Sequence, residues 1–461
     1  MRISKAHILR RVYSIPEIRF EDQRLSSYAG MVVIQELFKR LQLRGRLRSC
    51  FLHLKSSAVV GFHVITLLLI VHLMLGYRRL REMERYKEDP LVLRALGLSR
   101  LPDVSTVSRR LSELDKESIR RVREVNRDLV LEPLVSTGPA RLTMDFDGSV
   151  LSTGRIAEGT AVGFNKKKKG QRSYYPLFCT IAQTGQVLDL YHRPGNVHDS
   201  NGAEQFILNR IGNIRSVLPA VKLEARLDAA FFADKHVQML DNEGVEFTIS
   251  VPFERFTELK AMIEARKRWR PLDGTWSYFE TDWSPACWDR TFRFIFIRQK
   301  VKRQNKAPVQ LDLFTPHELG YDFKVIVSNK RSSARNVLRF HNGRGAQENV
   351  FGELKSQCQM DYVPVRRLAG NQLYLISAVL SHNLLRRLQI EGAQPQNRTT
   401  EKRSPLWQFQ EATTIRQHVI HRAGRLTKPK GKLRLTMSGN EATKRTFQNY
   451  FTALGAAAQV F

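Results

Sequence analysis

The sequence predicts a mixed α/β fold, on three observations. Residues from about 20 to 135 carry helix-like patterns throughout, and nothing there alternates with period two. From Arg141 onward, short alternating or apolar runs are each followed by a helical pattern, the order that builds a mixed layer of strands and helices. Between about Phe253 and Asp322 that rhythm is lost, and short alternating segments such as TFRFIFIRQ sit among Trp269, Trp276, Trp283 and Trp288. These shifts divide the chain into a helical N-terminal domain over residues 1–135, a core over 136–252 and 322–392, a β-rich insertion over 253–321, and a basic C-terminal region over 393–461.

Taken in order, MVVIQELFKRL opens the helical part, and the apolar run SSAVVGFHVITLLLIVHLMLGY follows it. That run is about long enough to cross a bilayer. His63, Thr66 and His72 interrupt it, so a helix buried on all sides in a large helical domain is the reading adopted. Next come YRRLREMERYKED, DPLVLRALGL, DVSTVSRRLSEL and KESIRRVREVNRDLV. In the third of these, Asp103 or Ser105 caps a helix that carries Arg109 and Arg110, a pattern open to a DNA-reading helix or an ordinary surface helix.

The α/β part starts with the strand RLTMDFDGSVL. A hairpin follows around Thr184-Gly185, then a helix capped by Asn201 with Glu204 three residues on. VKLEARLDAAFF gives a strand, ADKHVQMLDNEG a helix ended by glycine, and VEFTISVP another strand. After the insertion, YDFKVIVSNK returns to the sheet, and NQLYLISAVLSHNLLRRLQI is a long apolar helix.

What sets the composition apart is the sign of the charge. There are 75 Lys+Arg against 44 Asp+Glu, a formal net charge of +31, in a chain whose 42% hydrophobic content is that of an ordinary globular protein. A polyanion is the expected partner, and nucleic acid leads because neutralised phosphates release condensed counterions. The N-terminal residues show no apolar core followed by small residues, which predicts no signal peptide and a cytoplasmic, nucleoid-associated protein. Cys50, Cys179, Cys287 and Cys358 are scattered without metal-ligand spacing, so any metal is expected on oxygen ligands.

In so basic a chain, carboxylates on core strands need a reason. Asp145 and Asp147 point to one face of their strand, and Asp228 ends a second apolar strand among small and aromatic residues. Buried there, they are costly unless paired or bound to a cation. The segment HNGRGAQENVFGELK adds a third candidate. On a wheel with Arg344 at zero, Glu348 falls near 40° and Lys355 near 20°, while Glu353 falls near 180°. Val350, Phe351, Leu354 and Cys358 form an adjoining buried face. The wheel therefore selects Glu348 as the companion of Arg344 and Lys355. A plain helix ion pair, worth only a few tenths of a kcal/mol, is the alternative.

These residues resemble those of a DDE-type transposase of a bacterial insertion sequence, from the group with a Tyr-Arg-Glu-Lys signature spaced Y-x2-R-x3-E-x6-K. The chain has His341-x2-Arg344-x3-Glu348-x6-Lys355, with His341 in place of tyrosine. DFDGSVL is similar to the family's first-aspartate strand, mapping onto Asp147 rather than Asp145. RLDAAFF is similar to the second, placing it at Asp228. NKKKKGQRSYYPLFCTIAQTGQVL and LISAVLSHNLLRRL are similar to further family segments, so the resemblance spans most of residues 70–435.

The resemblance implies a ribonuclease H-like core in which Asp147, Asp228 and Glu348 hold two Mg2+ ions, with Mn2+ able to substitute. It implies cleavage of DNA at transposon ends followed by strand transfer. The substrates are double-stranded terminal repeats and target DNA, with at least a homodimer joining two ends. Arg344 and Lys355 would hold phosphates, and His341 could assist. Lys166, Lys167, Lys168, Lys169 and Arg172 form an expected phosphate-tracking loop, Arg109 and Arg110 a further DNA contact in a DNA-binding N-terminal domain, and the basic region 393–461 is expected to serve DNA binding or dimerisation. Trp283 or Trp288 could stack on a flipped base. His198 and Asp199 stand as weaker metal-site suspects in a loop and helix start. The competing readings are a non-catalytic sequence-specific DNA-binding protein, such as a repressor or inactive relic, and a nuclease that only hydrolyses DNA.

Overall fold

In the computed structural model, residues 16–22, 24–55, 60–163, 165, 168–198, 200–300, 320–393 and 406–456 are described. Helices α1 (Met31–Arg40), α2 (Leu43–Ser49), α3 (Phe62–Met74), α4 (Pro90–Leu96), α5 (Val104–Ser112) and α6 (Lys116–Thr137) come first. The long apolar run condenses into α3, of 13 residues, with every side chain except that of His63 buried. Thirteen residues rise about 20 Å, well short of a bilayer core. The polar interruptions are satisfied inside the protein. Thr66 Oγ1 donates to the Phe62 carbonyl at 2.9 Å, and His72 Nδ1 shares a 2.7 Å hydrogen bond with the Tyr86 hydroxyl. Among the described residues no helix is long and apolar enough to cross a membrane.

One nine-stranded mixed sheet forms the centre of the molecule. Its strands are β1 (Arg141–Gly148), β2 (Leu177–Ile181), β3 (Gln186–Tyr191), β4 (Lys222–Leu227), β5 (Glu246–Val251), β6 (Arg270–Pro271), β7 (Trp276–Trp283), β8 (Phe292–Lys300) and β9 (Tyr321–Ser328), in the order β6-β7-β8-β9-β5-β4-β1-β2-β3. Strands β1, β4 and β5 run parallel and every other pairing is antiparallel. The β-rich insertion therefore continues the main sheet through β9 instead of standing apart as its own layer. The hairpin β2–β3 turns with Gly185 at φ +60°, the left-handed region where glycine carries no side-chain penalty.

The helices of this part are α7 (Ala203–Val217), α8 (Asp234–Asn242), α9 (Thr257–Ala265), α10 (Ala334–Asn342), α11 (Ala346–Ser356) and α12 (Leu368–Gly392). Helix α7 starts from Gly202 at φ +69°, not from a side-chain cap on Asn201, because the turn into it needs the left-handed conformation. Met144, Phe146, Ala225 and Leu227 bury one sheet face in a core shared with α7, α8 and α9. Along β1, β4 and β5 the opposite face is polar, with Thr143, Asp145, Glu224, Arg226, Thr248 and Ser250, and along β8 and β9 it is apolar and packs on α10.

The N-terminal helices, α12 and the C-terminal segment share another core, which draws on residues from Tyr28 to Leu454. Ser381 on α12 donates to the Ile70 carbonyl of α3 at 2.9 Å. Asn383 Oδ1 accepts from the Val187 amide, and Asn126 Nδ2 donates to the Val187 carbonyl, each at 3.0 Å, which locks α12 and α6 onto β3. Near the end of the chain, a hairpin of Gly424–Thr427 and Arg434–Met437 is joined by the two-residue strand Leu25–Ser26. Helix α13 (Glu441–Ala453) then closes that core.

Candidate active site

The polar sheet face is built by register. Parallel pairing sets Asp145 of β1 beside Arg226 of β4, and Arg226 beside Thr248 of β5. Two residues farther along, the same parity brings Asp147, Asp228 and Ser250 toward one edge, since each is the next residue on that face of its strand. Asp147 and Asp228 thus leave adjoining strands at the same end, immediately past the register pair Phe146 and Leu227.

Each of these side chains has a distinct environment. Asp145 is fully buried, and its two carboxylate oxygens accept from Arg226 Nε and Nη2 at 2.5 and 2.6 Å. Burial pushes the Asp145 carboxyl above its ordinary value, with Arg226 and then Arg344 pulling it back. Arg226 also donates to the Phe340 carbonyl at 3.0 Å, so this pair anchors the end of α10. Asp147 is partly exposed. Its Oδ2 accepts from Arg344 Nη1 at 3.0 Å, and its Oδ1 from the Gly148 amide at 2.8 Å. Asp228 accepts from the Ala230 amide at 3.0 Å, capping the short turn Ala229–Phe231.

The helix above begins with a break. Helix α10 ends at Asn342, a single 3-10 turn spans Gly343–Gly345, and α11 starts at Ala346. The wheel treated this segment as one continuous helix, and there the structure corrects it. Arg344 pairs with Asp147, not with Glu348. Gln347, buried, donates from Nε2 to the Asp145 carbonyl at 3.0 Å and pins the start of α11 to β1. Glu348 is the next residue, exposed in the first turn of α11. Glu353 has a structural role: its carboxylate accepts from Arg386 at 2.5 Å and from the Ala412 amide at 2.8 Å. Val350, Phe351, Leu354 and Cys358 are buried as the wheel requires.

Other expectations meet a different outcome. His341 is only 1% exposed, with Nδ1 3.0 Å from Thr248 Oγ1 and Nε2 2.8 Å from Ser250 Oγ. Burial, Lys324 and Arg344 hold it well below the usual histidine range, so it is a neutral ring in the interior and not a contact for DNA. Trp283 is a core residue, packed edge-on against Phe256 and Phe294, with Nε1 donating to Glu258 at 2.9 Å. It cannot stack on a base without leaving that core. Trp288 is half-buried against Phe232 and Phe292.

Among the basic candidates, Lys168, Lys169 and Arg109 are exposed and Lys355 is half-buried. Arg172 is drawn back onto Thr160, bonding both its hydroxyl and its carbonyl. Arg110 is turned inward, over the Phe62 ring and bonded to Glu113 at 2.7 Å. His198 is exposed, with Nδ1 3.0 Å from Ser200 Oγ. Lys166, Lys167 and Asp199 lie outside the described residues.

Among the described residues, no three His, Cys, Asp or Glu side chains are gathered closely enough to hold a metal ion. Asp147 and Asp228 are brought to one edge, and Glu348 rides on the helix docked beside them. The residues that sequence reasoning passed over are Arg226, Gln347 and Lys324. Arg226 was within reach of the same period-two reading, two residues before Asp228.

Two aspartates at adjoining strand ends, faced by a guanidinium at a helix start, define a carboxylate-centred mixed α/β protein. The chain belongs to the transposase DDE domain group 1 family, whose model matches residues 13–459. It is by family a DDE-type transposase, and family membership assigns it a role in transposition. No curated protein matches the chain. Among solved structures it is similar to the piggyBac transposase in a synaptic complex with hairpin DNA, with 12% identity and a TM-score of 0.40 over 80% of this chain and 78% of that one.

Proposed function

We propose that the protein is the transposase of a bacterial insertion sequence, cleaving DNA strands at the element's ends and transferring them to target DNA. The core is read as ribonuclease H-like. Five strands in the order β3-β2-β1-β4-β5, with β1 antiparallel to β2 and parallel to β4, support that reading. The observation that carries the proposal is the pair Asp147 and Asp228, side by side at the ends of β1 and β4 beneath the helix start that bears Arg344 and Glu348.

Asp147, Asp228 and Glu348 would hold two Mg2+ ions, or Mn2+ in their place, once drawn closer together than they stand in this structure. The fit is supported by the donor set, which is all hard carboxylate oxygen. It is supported too by the charge already present, since the Arg344 guanidinium sits on Asp147 where a cation would neutralise it. When bound, the ions would supply the charge stabilisation that an in-line phosphoryl displacement needs. This chain's own residues do the rest. Arg344 offers a planar fork for a phosphate once it leaves Asp147, Lys355 offers a point charge, and Asp145 with Arg226 keeps the floor rigid. The expected partners are double-stranded terminal repeats, target DNA and a second copy of the chain.

Incubation with the ends of its own element and Mg2+ tests the reading. Wild type should cleave, and Glu348→Gln should lose at least about a hundredfold in rate, the scale set by removal of a transition-state-stabilising group. Equal cleavage by the two proteins would remove Glu348 from the site. Mg2+-independent binding without any cleavage would instead mark a non-catalytic DNA-binding protein.

A further inference from the structure

Lys324, on β9, stands at the same sheet edge as the two aspartates. Val325 pairs with Val251, the last residue of β5, so Lys324 lies one step past the end of that strand. Because β5 is parallel to β4 and β1, this is the end at which Asp228 and Asp147 emerge. The face is also shared. Lys324 has the parity of Ile326, which packs against Ala334, Val337 and Leu338 of α10, while Val325 and Val327 enter the opposite core.

Its surroundings are cationic. Lys324 Nζ donates to Asn342 Oδ1 at 3.1 Å, and Arg344 lies close enough to repel it. Among the described residues no carboxylate pairs with it. By contrast Lys330, two residues past the end of β9, is fixed by Glu224 and Glu246 at 2.5 Å each. Burial and the Arg344 guanidinium draw the Lys324 ammonium down to about 8. A half-covered cation beside another cation, without a counter-charge, is unfavourable until an anion arrives.

We propose that Lys324 is a phosphate-contact residue of this site, gripping the DNA backbone on the side of Asp228 remote from Asp147. The inference rests on the DNA-cleaving reading for its substrate, but its test does not depend on cleavage. Strands lie about 4.8 Å apart, so β9 stands two strands from β4 and three from β1. A lysine there meets a phosphate next to the reacting one, not the reacting one itself. It is a positioning residue.

The test measures binding, without divalent metal, to a duplex carrying the element's terminal base pairs, over a range of salt concentrations. Loss of one phosphate contact should flatten the slope of log affinity against log salt by about 0.9 in Lys324→Ala and in Lys324→Met. Lys324→Arg should restore the slope, which a merely structural role would not require. Unchanged slope and affinity in Lys324→Ala and Lys324→Met overturn the inference, and so does wild-type binding that does not respond to salt. Cleavage by wild type and Glu348→Gln in Mg2+ is scored separately. The Lys324 assignment can therefore fail while the transposase reading stands, or the reverse.

Discussion

At the residue scale, the two β1 aspartates differ in kind although they share a strand face. Asp145 forms a buried bidentate pair with Arg226, and Asp147 a partly exposed single contact with Arg344. Breaking a buried pair leaves an uncompensated charge, at a cost of about 3–5 kcal/mol. Asp145→Asn should therefore lower the urea midpoint strongly. Asp147→Asn should change the unfolding free energy by under about 1 kcal/mol and abolish strand cleavage instead. A reversal of that pattern would exchange their roles. The pairing of Asp145 and Asp147 on one face was legible because alternation is local to a strand. The buried partner of His341 was not, because Thr248 and Ser250 come to it from a strand about ninety residues away.

At the element scale, the break between α10 and α11 falls within the segment that carries Arg344 and Glu348. A wheel assumes uniform rotation per residue, so it could not see the 3-10 turn at Gly343–Gly345 in which Arg344 sits. The glycine there has a packing reason. A Cβ at Gly343 would run into the Arg226 guanidinium, the group that holds Asp145. Gly343→Ala should thus destabilise the protein by about 1–3 kcal/mol, the usual range for overpacking, and slow cleavage by displacing Arg344. Thermal unfolding and a cleavage assay read the two effects, and an unperturbed variant would show that the turn tolerates a side chain. The insertion teaches a similar lesson. Its alternation announced strands, but only pairing reveals that β8 joins β9 and carries the main sheet outward.

At the scale of the whole molecule, several histidines are buried and neutral. His72 and His382 are held down to about 4 and His192 to about 3, burial being the main cause in each, and His341 also lies well below its usual range. The unfolded chain takes up protons at these positions below about 6.5, whereas the folded protein refuses them. Stability should accordingly fall as pH drops from about 6.5 toward 4, each histidine adding up to about 1.4 kcal/mol per pH unit. Denaturant titrations at stepped pH measure it, and a flat profile between those limits would mean that the rings are open to solvent. The excess of positive charge was plain from composition, and it pointed correctly to a family that acts on DNA. How that charge is divided was not plain: Arg226 and Arg416 are buried among carbonyls and carboxylates, while Lys168 and Lys169 face solvent.

The strand Leu25–Ser26 closes onto Gly424–Thr427, and the core beneath it needs residues from both ends of the chain. Synthesis at about 5–20 residues per second separates those two segments by roughly 20–80 s. Throughout that interval the nascent N-terminal helices, α3 above all, have no finished core to enter. The sheet that carries Asp147 and Asp228 can pair earlier, since its strands end at Ser328. On the ribosome the strand edge that carries Asp147 and Asp228 is therefore synthesised in full before the helical body that encloses it is complete.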